Sequence, residues 1–301
     1  MPPAFTKFHG FGNDYIVIES GELESAEIST SEQLADFARR ICNRHYGAGA
    51  DGIAVVSSSE VHGADFHVRI FNPDGSEASL SGNGTRCAAA YLCYKKLWTA
   101  AELRLSTRAG VKLYTLREQT GNGRYVFDSE LGQPKFASDS IPMATDKRME
   151  KIIDYELDVN GERFPVTALQ MGNPNCCIFV KSFEALDWRH IGRLIETHEQ
   201  FPERTNVVFV RVVDRNTIEL RIWERGVGET EASGTCSCAA AVAAMIKGET
   251  ERLVDVVMPG GCARIRWRGQ GDDGEVVITG TAEVIYEGNW LAGTGQAATA
   301  A

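Results

Sequence analysis

The chain has 301 residues, 43% of them apolar and 24% charged, with a formal net charge of -10. This is the profile of a folded globular protein with one large core or two ordinary ones, and the length favours two. The acidic charge, with no basic tract to reverse it locally, argues against nucleic acid as a partner.

No apolar run approaches the roughly 20 residues of a membrane span, and residues 1–10 lack signal-peptide character, so a cytoplasmic location with no membrane partner is expected. Eight cysteines in a long chain without a secretory signal are expected to be reduced thiols.

In chain order, period-2 patterns and β-branched or aromatic content predict strands over 15–19, 66–71, 111–117, 206–213, 217–223 and 263–267. Helices are predicted over 31–43, 86–97, 183–196 and 238–247. The second and fourth are apolar almost all round, the mark of buried helices. Gln119-Thr120-Gly121-Asn122-Gly123 reads as a hairpin turn, and a lobe boundary is expected soon after it, within 131–138. The last residues, 291–301, read as a frayed tail.

An internal echo is the most informative feature. Gly75-Ser76-Glu77-Ala78-Ser79-Leu80-Ser81-Gly82-Asn83-Gly84-Thr85-Arg86-Cys87 runs into Ala88-Ala89-Ala90. Gly228-Glu229-Thr230-Glu231-Ala232-Ser233-Gly234-Thr235-Cys236-Ser237-Cys238 runs into Ala239-Ala240-Ala241. Each is an acidic turn, a Ser-Gly step and a loop of small residues leading into an alanine-rich helix, which points to a duplicated fold.

A helix opened by such a loop presents unpaired N–H groups and a positive dipole end, an anion site. Two such ends converging between the lobes would grip one carboxylate, with Ser81 and Ser233 flanking the adjacent carbon. Removing an α-proton on one face and returning one on the other needs two opposed acid/base groups. One loop alone would read as ordinary turn chemistry. The matched pair does not.

Other motifs are set aside. Gly47-Ala48-Gly49-Ala50-Asp51-Gly52 fits the dinucleotide pattern literally, but a strand-like run follows where a helix should start. The cysteines lack zinc-site spacing, and Ser233 lies outside a G-x-S-x-G elbow.

Six phrases carry a family resemblance: Phe8-His9-Gly10-Phe11-Gly12-Asn13-Asp14, Phe71-Asn72-Pro73-Asp74-Gly75-Ser76-Glu77, Ser81-Gly82-Asn83-Gly84-Thr85-Arg86-Cys87, Met171-Gly172-Asn173-Pro174, Phe201-Pro202-Glu203-Arg204-Thr205-Asn206 and Glu224-Arg225-Gly226-Val227-Gly228-Glu229-Thr230. In this order they closely resemble the diaminopimelate epimerase family.

The resemblance implies an α/β (α+β) fold of two similar lobes, each a β-barrel-like sheet around a central helix. Their expected extents are 1–133, with 282–301 returning to it, and 134–281. It also implies interconversion of LL- and meso-diaminopimelate without pyridoxal phosphate, another cofactor or metal, and a possible homodimer. Carried over by position, the substrate contacts are Asn13, Asn72, Asn173, Asn206, Glu224 and Arg225, with Gly82, Asn83, Gly234 and Thr235 holding the reacting carboxylate. Asparagine amides offer donors and acceptors to a zwitterion, and Arg225 suits a distal carboxylate.

The family's two catalytic bases are cysteines, and both positions are serine here. Ser81 and Ser233 therefore stand in the base positions, with Glu224 as a helper for Ser233. Asn175 stands where the family usually has histidine, Cys236 where it usually has glycine, and Gly52 where some members have glutamine. Cys236 is a conceivable substitute base, although a small residue lining the loop is its simpler reading. A serine-bearing homologue isomerising another amino acid, an engineered or impaired form, and a binding-only protein remain open alternatives.

Overall fold

The computed structural model describes residues 1–184, 186–269 and 271–291. The chain divides into two compact units: Met1–Tyr125 with the chain from Thr281 onward, and Val126–Gly280. Residues 292–301, most of the expected frayed tail, lie outside the described residues.

In the first unit, Ala4–Gly10 pairs antiparallel with the later half of Val276–Asn289 and with Asn13–Glu19. Asn13–Glu19 lies parallel to Gly52–Ser58, which pairs antiparallel with Phe66–Phe71. Phe66–Phe71 takes the short Glu77–Ala78 antiparallel and Glu102–Thr107 parallel, and Glu102–Thr107 takes Gly110–Gln119 antiparallel.

The second unit repeats that succession of antiparallel and parallel pairings. Its strands are Ile152–Val159, Glu162–Gln170, Pro174–Phe179, Asn206–Asp214, Thr217–Glu224, Gly228–Thr230, Leu253–Met258 and Gly261–Trp267. The duplication expected from the two Ser-Gly loops thus extends through the whole pairing order.

A parallel pair cannot be closed by a tight turn, so each unit needs two crossovers, and helices supply them. Ser31–Cys42 and Trp188–Glu196 make the first crossover of their respective units. Each buries one stripe: Leu34, Phe37, Ala38 and Ile41 in the former, Trp188, Ile191 and Ile195 in the latter. Their starts are capped by Thr30, in a reciprocal box with Gln33, and by Asp187, which accepts from the His190 amide at 3.1 Å.

The second crossovers, Gly82–Tyr94 and Gly234–Ile246, are central helices. The first packs on Ala4–Gly10, Asn13–Glu19, Gly52–Ser58, Phe66–Phe71 and Glu102–Thr107. The second packs on Glu162–Gln170, Pro174–Phe179, Asn206–Asp214, Thr217–Glu224, Leu253–Met258 and Gly261–Trp267. A helix touching strands along the whole run is wrapped by its sheet, and the fold is α+β. Ala88, Ala89, Ala90, Ala239, Ala240 and Ala241 are fully buried, their small side chains letting the strands close in.

The boundaries differ informatively from expectation. Both central helices begin at the glycine after the serine, at 82 and 234, earlier than the predicted 86 and 238, because weak helix formers are acceptable in a first turn that packing holds. The helix predicted to start at 183 starts at Trp188, where Asp187 caps it. Ser20–Ser25 forms an unpredicted short helix, held by the Ala4 amide donating to Glu22 at 2.9 Å, a tertiary contact. Among the described residues, no helix is long and apolar enough to cross a membrane.

Candidate active site

Ser81 has extended backbone angles and caps the first central helix: its hydroxyl accepts from the Gly84 amide at 3.1 Å. Its carbonyl takes the Thr85 amide at 2.9 Å, so the helix starts in register immediately after it. The amides of Gly82 and Asn83 belong to the first turn, which has no intrahelical acceptor for them.

Asn83 donates its side-chain amide to Asn13 Oδ1 at 3.1 Å, and Asn13 donates to Asp51 Oδ2 at 2.8 Å. The guanidinium of Arg86, 1% exposed, holds Asn83 Oδ1, donates from Nε to the Thr281 carbonyl at 2.9 Å and stacks on Phe11. Asp51 in turn accepts from Arg44 at 2.7 Å, and Arg44 and Lys7 both pair with Asp14 at 2.8 Å. Burial opposes ionisation of Asp14, yet hydrogen bonds from Arg44 and Lys7 outweigh it and hold the carboxyl down at about 2.

Asn13 and Asn83 are therefore brought together and aimed by a charged network, which uses one N–H of each amide. Asn72 is engaged elsewhere. It opens the turn to Ser76, donating to the Ser76 hydroxyl at 2.9 Å, with Gly75 in the left-handed region at φ 82°.

In the second unit Ser233 is 8% exposed and likewise precedes its helix in an extended conformation, but its hydroxyl makes no capping bond. It lies 3.5 Å from Thr235 Oγ1, and its hydroxyl favours the ionised form of the Glu224 carboxyl. Glu224 ends the strand Thr217–Glu224 and accepts from Thr230 Oγ1 at 2.8 Å across the hairpin to Gly228–Thr230. Burial raises the Glu224 carboxyl above its ordinary value, and the hydroxyls of Thr230 and Ser233 offset only part of that.

Asn173, Asn206 and Arg225 are joined through the fully buried Asn175. Asn175 donates to the Asn173 carbonyl at 2.7 Å and accepts from Asn206 at 3.1 Å, while Asn206 Oδ1 accepts the Arg225 amide at 2.9 Å. Asn175 and Asn206 face each other in register on parallel strands. The Arg225 side chain is exposed and donates to the Glu203 carbonyl at 3.0 Å. The turn that carries it is clamped by Glu196, which accepts from Trp223 Nε1 and the Gly226 amide, both at 2.8 Å.

Cys236 is fully buried, and burial pushes its thiol well above the ordinary range. It stays protonated, which removes it as a substitute base and leaves it as a small residue in the first turn of Gly234–Ile246. Gly52 opens a strand, Gly52–Ser58, where a dinucleotide site would need a helix, so the literal dinucleotide pattern is structural.

Sequence reasoning passed over Asp51, Thr230 and Glu196. Asp51 was read only as part of a rejected motif. Glu196 carries a usable signal, since it lies on the apolar stripe of its helix, one residue after Ile195, and a buried carboxylate needs partners.

The profile of the family described as Diaminopimelate epimerase matches residues 5–136 and 167–285. A protein named diaminopimelate epimerase from Pelotomaculum thermopropionicum is 39% identical over 286 residues, covering 95% of this chain and 98% of that one. Another from Acetivibrio thermocellus is 38% identical over 284 residues, with 94% and 97% covered.

Among solved structures, a Bacillus anthracis phenazine biosynthesis protein of the PhzF family is similar with a TM-score of 0.67 at 17% identity, covering 95% of this chain and 98% of that one. A hydroxyproline epimerase from Agrobacterium vitis gives 0.65 at 14% identity, covering 94% and 88%. At such identities these two speak to the fold alone. The near-complete, mutual coverage of the closer relatives, with both halves of the chain matched, makes this protein a member of the diaminopimelate epimerase family.

Proposed function

We propose that the protein is an isomerase that interconverts LL- and meso-diaminopimelate by two-base proton transfer at the α-carbon, with neither cofactor nor metal. One observation carries the reading. Each unit presents a serine hydroxyl at the amide-rich start of a buried helix, and that of Ser233 favours the ionised form of the half-buried Glu224 carboxyl.

An alcohol is a weak base by itself and becomes useful when a neighbour takes its proton. In this reading the α-proton passes to Ser233 Oγ as the Ser233 proton passes to Glu224, and Ser81 returns a proton to the carbanion. The carboxylate gains charge as the carbanion forms, and the amides of Gly82, Asn83, Gly234 and Thr235 stabilise it. Asn13, Asn72, Asn173 and Asn206 bind the zwitterion, and Arg225 the distal carboxylate. The resemblance also supports a cytoplasmic homodimer, which light scattering on the purified protein checks.

The test is exchange of the α-hydrogen of diaminopimelate in deuterium oxide, followed by NMR and chiral chromatography. Exchange with inversion is expected. Its absence from both the native protein and Ser81→Cys/Ser233→Cys would overturn the substrate. The serines at both base positions favour one second reading, a binding-only protein, for which calorimetry would give saturable binding while the native protein exchanged nothing.

A further inference from the structure

Glu224 and Arg225 are neighbours at the start of one short turn between the strands Thr217–Glu224 and Gly228–Thr230. Strand pairing fixes the two ends of that turn but not its tip. Trp223 faces Glu229 and Glu224 faces Gly228 in register, whereas Arg225, Gly226 and Val227 lie beyond the ladder and are exposed, with Gly226 in the left-handed region at φ 75°. A surface turn of this kind stays in place only if something outside the hairpin holds it.

One face of the helix Trp188–Glu196 does so. Residues 189, 192, 193 and 196 follow the spacing i, i+3, i+4 and i+7, so they share a face, and all four meet the hairpin. Arg189 pairs with Glu229 through two bonds of 2.6 and 2.7 Å. Gly192 admits the Trp223 side chain, since a Cβ there would come within 2.9 Å of Trp223 Cβ. The Arg193 guanidinium lies 5.7 Å from the centre of the Trp223 ring. Glu196 ends the face, accepting from Trp223 Nε1 on Oε2 and from the Gly226 amide on Oε1, both at 2.8 Å. The Arg189–Glu229 pair is open to solvent on both sides and contributes little. Glu196 is 6% exposed, so its bonds carry the attachment.

Trp223 and Gly226 bracket Glu224 and Arg225 in the chain. We propose that Glu196 is a positioning residue for Arg225: by accepting from Trp223 and Gly226 at once it fixes the turn from which Arg225 reaches the distal carboxylate, and so sets how tightly a substrate bearing that second carboxylate is held. Glu196 also ties in the segment before Asn206. Its own carbonyl accepts the Thr205 amide at 3.2 Å, and Asn206 Oδ1 accepts the Arg225 amide at 2.9 Å.

The two-oxygen bond requires a carboxylate. Both of its oxygens accept, whereas glutamine offers one oxygen and an NH2 that would face a second N–H. Whichever way a glutamine amide turned, either the Trp223 indole or the Gly226 amide would lose its acceptor. The Arg204 guanidinium, 3.5 Å from Oε1, supplies the balancing charge.

This inference rests on the proposed epimerase reading, so its first measurement needs no substrate. Hydrogen exchange of the Trp223 indole and the Gly226 amide is followed by NMR in isotope-labelled protein. In Glu196→Gln at least one of the two is expected to exchange about tenfold faster, while protection in the buried helix Gly234–Ile246 stays as it was. Unchanged exchange at both, or a loss of protection spread through that helix, overturns the inference whatever the substrate.

The second measurement is a double-mutant cycle in KM for diaminopimelate. Glu196→Gln is expected to raise KM about tenfold and to change kcat less than about threefold, because the sheet and Thr230 hold Glu224 independently. Trp223→Phe removes the competing donor and leaves the glutamine oxygen to Gly226, so in that background Glu196→Gln is expected to raise KM less than about threefold. Equal effects in the two backgrounds, or a fall in kcat without a rise in KM, overturn the proposal. For a native protein that binds without turnover the cycle is read in calorimetric dissociation constants. A native protein that binds no diaminopimelate overturns the epimerase reading, and the exchange measurement then decides the role of Glu196.

Discussion

At the scale of the residue, the chemistry depends on what stands next to each hydroxyl. Glu224 serves Ser233 only when ionised, and its burial makes ionisation costlier than in water. The sign is definite: a carboxyl whose folded value is raised above its ordinary 4.5 costs stability above its folded value and nothing well below 4.5. Glu224→Gln, an isostere of the neutral acid, should therefore raise the melting temperature at pH 7, with the gain vanishing below about pH 4. The same variant should lose about a hundredfold or more in exchange rate. Calorimetric scans from pH 3.5 to 8 alongside exchange assays check both, and a stability gain independent of pH would contradict the burial argument.

At the scale of the element, the central helices are positioned by where they begin. The Ser-Gly step makes the serine the last extended residue and the glycine the first helical one, which places the hydroxyl among the free amides. Gly82 and Gly84 look alike in the sequence and differ in the structure. A Cβ on Gly82 meets nothing within 4 Å, whereas one on Gly84 meets Tyr15 at 2.8 Å and Ile70 at 3.0 Å.

Helix propensity alone would have both alanine variants stabilise the fold by about 1 kcal/mol. Gly82→Ala should do so or be neutral, while Gly84→Ala should destabilise by about 1–3 kcal/mol through overpacking. Urea denaturation midpoints distinguish them. These starts were partly legible beforehand. The Cys-Ala-Ala-Ala runs announced buried helices, but glycine's low propensity hid the first turn, which packing rather than propensity supports.

At the scale of the whole molecule, one strand belongs to both units by chain continuity. Val276–Asn289 pairs through its first residues with Gly261–Trp267 and through its later ones with Ala4–Gly10. The Thr281 carbonyl it carries also anchors Arg86, and through Arg86 the candidate substrate residue Asn83. A chain ending at Gly280 removes a paired strand of the first sheet and that acceptor together. Limited proteolysis should then cut within residues 1–125 at least about tenfold faster than in the full chain, as local stability falls. Unchanged cleavage would mean that the returning strand contributes little.

From the sequence by itself came the duplication, the two buried helices, the serines ahead of them and the family, because repeats, periodicity and short phrases are local and survive without coordinates. Asn13, Asn83, Asn173, Asn206, Glu224 and Arg225 were named from those phrases. Only the tertiary structure showed what each of them touches. Asp51 aims Asn13 from 38 residues away in sequence, and Asn175 joins Asn173 to Asn206 across a parallel pair. The Tyr15 ring fits where it does because glycines at 52 and 84 leave room for it. Hydrogen bonds and close packing couple residues through space, and no spacing along the chain encodes which distant group a given side chain will meet.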